Sequence, residues 1–248
     1  MTEHVILRRD SAILHARLNR PGKKNAMTDE MYEALYGAFV EAEENKDVRV
    51  LMLSAEGDSF TAGNDLAAFV RLMNPEGLND PPVLRLIEAG LKATVPVVAA
   101  VQGWCVGIGA TMMLHTDFIY AEKTARFHMP FTQLGAVPEA GASRLLVRRL
   151  GRQRAAQFML SSDVISAPKA ESFGFITEAV PEGEALMHAE RTAKKLAELP
   201  AEAMRATKRL MQEELETLLP HTRHELEVFA ERLRSAEMQN VIAARMKG

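Results

Sequence analysis

A glycine-containing turn between two apolar runs constrains this chain more than any other feature. Residues 103–109 contain three glycines, follow the apolar run of residues 95–101, and lead into the apolar stretch of residues 110–114. Glycines allow sharp turns and close backbone approach, and the N-terminus of a following helix favours negative charge. The pattern therefore predicts a buried strand, a turn whose N–H groups could bind an anion, and a buried helix.

A second turn of the same kind occurs earlier in the chain. Residues 60–66 follow a strand-like run at residues 48–54, and Gly63 allows the backbone to turn sharply. Taken alone, its Ala-Gly-Asn-Asp sequence is typical of an ordinary loop. Tight packing is also an alternative for residues 103–109, whose glycines fit neither the dinucleotide spacing nor the Gly-Lys-Ser/Thr ending of nucleotide-binding loops.

The surrounding pattern predicts an α/β fold. A hairpin is expected over residues 5–18, and strands alternate with helices from about residue 48 to 180, which favours a mainly parallel sheet. Thr28 is placed to cap the first helix. The apolar face of that helix is predicted to consist of Met31, Leu35, Ala38, Phe39 and Ala42.

The last quarter of the chain is predicted to be helical. Pro200 and Pro220 stand where new helices could begin. We therefore divide the chain into a core at residues 1–183 and a helical region at residues 184–248. The apolar positions expected to pack against the body of the subunit or against a neighbour are Leu210, Leu215, Leu218, Leu226, Phe229 and Leu233.

Composition excludes several classes of function. Hydrophobic residues make up 47% of the 248 positions and charged residues 25%, as in globular proteins, and no run reaches the roughly 18 apolar residues of a membrane span. The 30 Lys and Arg against 33 Asp and Glu give no general field for nucleic acid or an anionic membrane. Cys105 is the only cysteine and no signal sequence is evident, so a cytoplasmic location is expected.

The two turns, their order and their separation resemble the crotonase superfamily, the enoyl-CoA hydratase and isomerase family, over nearly the whole chain. Residues 18–27, Leu-Asn-Arg-Pro-Gly-Lys-Lys-Asn-Ala-Met, resemble its N-terminal CoA-contacting stretch. Residues 60–66 resemble its first oxyanion loop, and residues 103–117 its second. The resemblance implies a crotonase-like spiral of ββα turns, followed by helices that associate the subunits into a homotrimer or a hexamer of two trimers.

In that family the thioester oxygen lies between two main-chain N–H groups, which by motif position are those of Ala62 and Ile108. Because the donors are backbone groups, Ile108 can replace the glycine of many relatives if the turn keeps its shape. Each donor is typically worth about 3 to 4 kcal/mol of barrier. The resemblance implies contacts with the acyl-CoA thioester from Lys23, Ala26, Gly63, Asn64, Asp65, Leu66, Trp104, Gly107, Pro130 and Phe131.

The residue that transfers the proton distinguishes the reactions of this family. Hydratases use two glutamates to hold and split water, but the corresponding positions are Thr111 and Phe131, which transfer no protons at neutral pH. Glu139, in a Pro-Glu-Ala-Gly segment, resembles the single glutamate of the peroxisomal-type Δ3,Δ2-enoyl-CoA isomerases. Alone, Glu139 could equally be a carboxylate in the first turn of a helix. We predict an isomerase of fatty acid metabolism in which Glu139 carries the proton.

Other functions stay open at this point. The same oxyanion hole could serve hydration, another lyase reaction or thioester hydrolysis, and some modules of this kind bind CoA ligands or proteins without turnover. Asp117 is predicted to be structural, and neither His115 nor His128 has an identifiable carboxylate partner. No metal-binding spacing and no nucleophile elbow is present, and CoA is expected only as part of the substrate.

Overall fold

The computed structural model describes residues 2–65, 81–212 and 215–246. Its strands, in chain order, are β1 (Val5–Asp10), β2 (Ile13–Leu18), β3 (Val50–Ala55), β4 (Val97–Val101), β5 (Trp104–Val106), β6 (Phe118–Glu122), β7 (Arg126–His128), β8 (Ile165–Ser166) and β9 (Glu178–Val180). They form a six-stranded sheet of order β1-β2-β3-β4-β6-β9 and a three-stranded sheet of order β5-β7-β8.

The large sheet is parallel apart from its first hairpin. β1 and β2 pair antiparallel, and every later neighbour in this sheet pairs parallel, as the alternation of strands and helices predicts. Every residue of β3 and β4 is buried, because a parallel sheet is covered on both faces. The predicted hairpin, parallel sheet and α/β class are confirmed.

The helices, in chain order, are α1 (Asp29–Glu44), α2 (Pro82–Lys92), α3 (Ile108–Met112), α4 (Ala142–Leu150), α5 (Arg152–Met159), α6 (Ala167–Phe173), α7 (Ala185–Ala197), α8 (Ala201–Met211), α9 (Leu215–Leu233) and α10 (Ala236–Met246). Thr28 caps α1 by accepting a hydrogen bond from Met31 N at 3.4 Å, and the predicted apolar face of α1 is buried. Within the described ranges, no helix combines the length and apolar character needed to cross a bilayer.

Three details differ from the predictions. Residues 103–109 are not only a turn, because β5 lies within them and begins the second sheet. Pro220 lies inside α9 rather than at its start, and the helix has buried residues on both sides of it, such as Leu218 and Phe229. Leu210 is 70% exposed, so it does not pack on the body of this chain.

Asp117 and Lys208 tie the C-terminal helices to the large sheet. The Asp117 carboxylate accepts hydrogen bonds from Val97 N at 2.7 Å and from Lys208 Nζ at 2.6 Å. The ammonium group of Lys208, which is buried, also donates to Val95 O at 2.8 Å. Asp117 therefore does have the structural role predicted for it.

Removing this carboxylate should destabilise the fold. Asp117→Ala leaves the ammonium group of Lys208 buried without its counter-charge, so we expect the free energy of unfolding to fall by about 3 kcal/mol in urea titrations. The matched control is Glu56→Ala, which breaks the half-exposed pair with Arg17 and should cost less than about 1 kcal/mol. Equal losses of unfolding free energy in the two variants would show that the buried Asp117–Lys208 pair stabilises the fold no more than a half-exposed pair does.

Candidate active site

The two glycine-containing turns lie side by side because the backbone of Thr61 pairs with β5. Thr61 N donates to Trp104 O, and Val106 N donates to Thr61 O, both at 3.0 Å. A Cβ atom on Gly109 would lie only 2.2 Å from the methyl carbon of Thr61, so a glycine is needed where α3 meets the first turn. The structure thus brings together the two segments that the sequence singles out.

Asn25 holds the first turn from the other side, although the sequence pattern did not single it out. Its buried side chain donates to Glu56 O and Ser59 O, both at 2.8 Å, and accepts from Arg20 N at 2.7 Å. Its carbonyl accepts a hydrogen bond from Thr61 Oγ1 at 2.6 Å. Asn25 adopts a left-handed φ of 52°, which asparagine tolerates better than most residues.

Among the described residues of the first turn, the N–H group without an acceptor is that of Asn64 rather than that of Ala62. Ala62 N already donates to Lys24 O at 2.8 Å, which speaks against Ala62 as an oxyanion donor. The pairing of Met27 with Asn64, closed by a bond from Asp65 N to Met27 O at 2.8 Å, turns the N–H of Asn64 away from Met27. Within the described residues this N–H has no acceptor, so it is available to a ligand.

The second turn depends on Gly107. Its φ of 55° and ψ of −121° are accessible almost only to glycine, and its N–H donates to His128 O at 2.9 Å. Ile108 follows as the first residue of α3, with its side chain buried in the core and its N–H without an acceptor in the described part of the chain. Because Gly107 carries the unusual conformation, a side chain at Ile108 leaves the turn intact.

Glu139 is a buried carboxyl group with one oxygen held and one oxygen free. Oε1 accepts a hydrogen bond from Thr111 Oγ1 at 2.6 Å, whereas Oε2 is buried and has no hydrogen-bond partner among the described residues. Burial, and then the charge of Glu225, raise the pKa of Glu139 from 4.5 to about 8, although the bond from Thr111 acts in the opposite direction. α4 begins at Ala142, so Glu139 precedes that helix.

Tyr32, on the buried face of α1, links the first turn to Glu139. Its hydroxyl group donates a short hydrogen bond to Asn64 Oδ1. Burial, and then the nearby charge of Glu139, raise the pKa of Tyr32 well above its ordinary value, so the hydroxyl stays protonated and continues to donate. The sequence offered only a tyrosine within an apolar stretch as a signal for this residue.

The predicted CoA-contacting residues lie along and beside the first turn. Ala26 O accepts from Arg20 at 2.9 Å, and the same guanidinium pairs with Asp65 at 2.7 Å, so Asp65 holds the loop in place. Lys23 is exposed in the short helical turn Pro21–Lys23, next to the carbonyl group that meets Ala62. Leu66 lies outside the described residues.

The remaining predicted residues lie around β5 and β7. Trp104 is 39% exposed on β5, whereas Phe131 is buried in the hydrophobic core, following Pro130 and β7. Cys105 is buried, which raises the pKa of its thiol. Among the described residues, no group of three His, Cys, Asp or Glu side chains is placed to hold a metal ion.

The ring of His115 holds the backbone of the Glu139 segment. Burial lowers the pKa of His115 to about 4, so its ring is neutral at pH 7. His115 Nε2 lies 2.8 Å from Ala140 O and donates to it. A Cβ atom on Gly90 would lie 2.9 Å from Nδ1, so α2 packs tightly on the ring. His128 accepts the bond from Gly107 N through its carbonyl oxygen.

Comparison with known proteins gives matches to one family over almost the whole chain. A family model described as enoyl-CoA hydratase/isomerase matches residues 8–246. The chain is 31% identical to 1,2-epoxyphenylacetyl-CoA isomerase of Escherichia coli K12, over 98% of this chain and 95% of that protein. It is 32% identical to enoyl-CoA delta isomerase 2 of Rattus norvegicus over 84% of this chain, and this match spans about half (54%) of the rat protein.

The chain is also similar in sequence to a hydratase and to a protein of known structure. The chain is 29% identical to 2,3-dehydroadipyl-CoA hydratase of Escherichia coli K12, over 87% of this chain and 84% of that protein. The solved structure of OdaA from Pseudomonas aeruginosa superposes with a TM-score of 0.95 at 36% identity, with both chains covered in full. The predicted crotonase-type fold is therefore confirmed, while the relatives include both isomerases and hydratases.

The raised pKa of Glu139 predicts a pH-dependent cost in stability. Because the folded-state pKa lies above the unfolded value, the stability associated with Glu139 is full below about pH 4.5 and is lost as the pH rises through about 8. Glutamine at position 139 does not titrate. The melting temperature of Glu139→Gln relative to that of the wild type should therefore rise between pH 5 and about pH 8, and the difference should stay constant above that pH. The same exchange at the exposed Glu227 should show no such gain. If the difference in melting temperature between Glu139→Gln and the wild type stays constant with pH, the pKa of Glu139 is not raised in the folded protein.

Proposed function

We propose an enoyl-CoA isomerase activity for this chain, which belongs to the enoyl-CoA hydratase/isomerase family. The observation that carries the proposal is the buried carboxyl group of Glu139, whose oxygen Oε2 has no hydrogen-bond partner among the described residues and can accept and return a proton. Moving a double bond from C3 to C2 needs one base, whereas adding water by the usual route needs two carboxylates. Thr111 and Phe131 stand where that pair would be.

The proposed reaction is a proton transfer along the acyl chain. Ionised Glu139 removes a proton from C2 of a 3-enoyl-CoA thioester, and the electron pair spreads over the dienolate to the thioester oxygen. The N–H groups of Asn64 and Ile108 stabilise that oxygen, so Asn64 replaces Ala62 in the pair inferred from the motif. Neutral Glu139 then returns the proton to C4, which gives the conjugated 2-enoyl-CoA with no net change in atoms.

The environment of Glu139 suits both halves of this cycle. A base is most effective when its pKa lies near the working pH, and burial raises that of Glu139 to about 8. Thr111 fixes Oε1, so the carboxyl group presents one defined oxygen to the substrate. We place the CoA moiety along the stretch that contains Lys23 and Ala26, which lies next to the first turn.

The decisive experiment offers 3-enoyl-CoA to wild type and to Glu139→Gln. We expect formation of the conjugated thioester, followed by its ultraviolet absorbance, and a loss of kcat of about 100-fold to 10,000-fold in the variant, with KM little changed. Equal rates in the two proteins would favour a module that binds CoA ligands without turnover. Rapid loss of the absorbance of 2-enoyl-CoA in the wild type would instead favour a hydratase.

Replacing Thr111 should move the acidic limb of the pH–rate profile. Thr111→Val removes the hydrogen bond that favours the ionised carboxylate, so the pKa of Glu139 should rise and activity should appear at higher pH than in the wild type. Thr116→Val is the matched control, since Thr116 is also buried but donates to Met113 O. A limb that stays in place in Thr111→Val would mean that Glu139 is not the titrating base.

A further inference from the structure

The segment that carries Glu139 has a conformation that needs support. Ala140 and Gly141 both adopt left-handed φ values, 64° and 73°, immediately after Glu139. Alanine rarely adopts this conformation, so the surrounding contacts must hold it. His115 holds one side through its bond to Ala140 O.

The other side of the segment is held by Glu225 on α9. This buried carboxylate accepts hydrogen bonds from Gly141 N at 2.7 Å and from Ser143 N at 2.9 Å. The hydroxyl group of Ser143 donates a further, short bond to it. Gly141 has no side chain with which to cap α4, so Glu225 provides the cap from a distant part of the sequence.

α9 also packs directly on this turn. A Cβ atom on Gly141 would lie 3.1 Å from Thr222 Oγ1 and 3.2 Å from Leu218 Cδ1, and both residues lie on the same helix as Glu225. The turn therefore has little room to shift while α9 is in place. The backbone immediately after Glu139 is thus fixed by contacts that the reaction itself does not require.

We propose that Glu225 is a positioning residue, which acts from the C-terminal helix by holding the backbone that presents the Glu139 carboxyl group to the substrate. The inference rests on the proposed role of Glu139 as the base. Burial raises the pKa of Glu225, whereas the hydrogen bonds from Ser143 and Gly141 favour its ionised form, and its negative charge also acts on Glu139. Positioning and charge therefore come from one side chain.

The charged and titratable groups around this site come from several elements. Tyr32 faces Glu139 from α1, and Glu225 faces it from α9. His221, one turn before Glu225, lies 3.4 Å from its carboxylate and 2.8 Å from the hydroxyl group of Ser143. His115 faces the segment through the carbonyl of Ala140 and is neutral at pH 7.

The first test exchanges Glu225 for glutamine, which keeps its shape but removes its charge and one backbone bond. We expect kcat for 3-enoyl-CoA to fall by about tenfold or more, with KM within about twofold. The acidic limb of the pH–rate profile should move to lower pH, because the ionised Glu139 no longer faces a like charge. Glu227→Gln is the matched control on the exposed face of α9 and should change neither quantity.

The second test follows the carboxyl carbon of Glu139 by NMR in the substrate-free protein. The pKa of Glu139 should be lower in Glu225→Gln than in the wild type, by about half a unit or more, and unchanged in Glu227→Gln. This measurement needs no turnover. If the pKa of Glu139 shifts but the protein does not isomerise 3-enoyl-CoA, the proposed function is refuted, whereas the effect of Glu225 on Glu139 is supported. An unshifted titration together with an unchanged kcat, even if the melting temperature falls, would overturn the role of Glu225.

Discussion

The two backbone hydrogen bonds between Thr61 and β5 hold together parts of the site that come from distant stretches of the chain. They place the first turn against the start of α3, where only a glycine at Gly109 leaves space for the methyl group of Thr61. Since both proposed donors are main-chain N–H groups, backbone pairing alone sets their direction. Side chains that hold the main chain, such as Asn25 and Thr61, therefore matter more to this half of the site than those that carry the donors.

Much of the fold could be predicted from the sequence because its signals are local. The capped, amphipathic α1 and the buried parallel strands follow from periodicity and from residues close together in the chain. β5 was missed because a three-residue strand inside a glycine-containing turn has no periodicity of its own, and it is defined by its pairing with β7 and with Thr61. Pro220 was misread because proline usually marks the start of a helix, whereas here it lies within α9.

The prediction of the site failed for features that depend on the direction of a backbone N–H group or on contacts between residues far apart in the sequence. The motif drew attention to the first turn, but which of its N–H groups lacks an acceptor depends on the pairing of Asn64 with Met27, and this pairing cannot be read from the turn itself. Tyr32 and Glu225 were missed for a related reason. Each contacts the site from a helix far away in the sequence, and nothing in its local pattern distinguishes it from an ordinary helix residue.

The residues around Glu139 also explain why one carboxylate, rather than two, suits this arrangement. Thr111 donates to Glu139 at 2.6 Å, so a glutamate at that position would set a second carboxylate against the first in a buried setting. Like charges so close cannot both ionise, and the pKa of one would rise steeply. Phe131, at the other hydratase position, is buried in the hydrophobic core, and its side chain has no polar group that could hold water. The hydroxyl group of Thr111 instead favours the ionised form of Glu139, as the proposed proton shuttle requires.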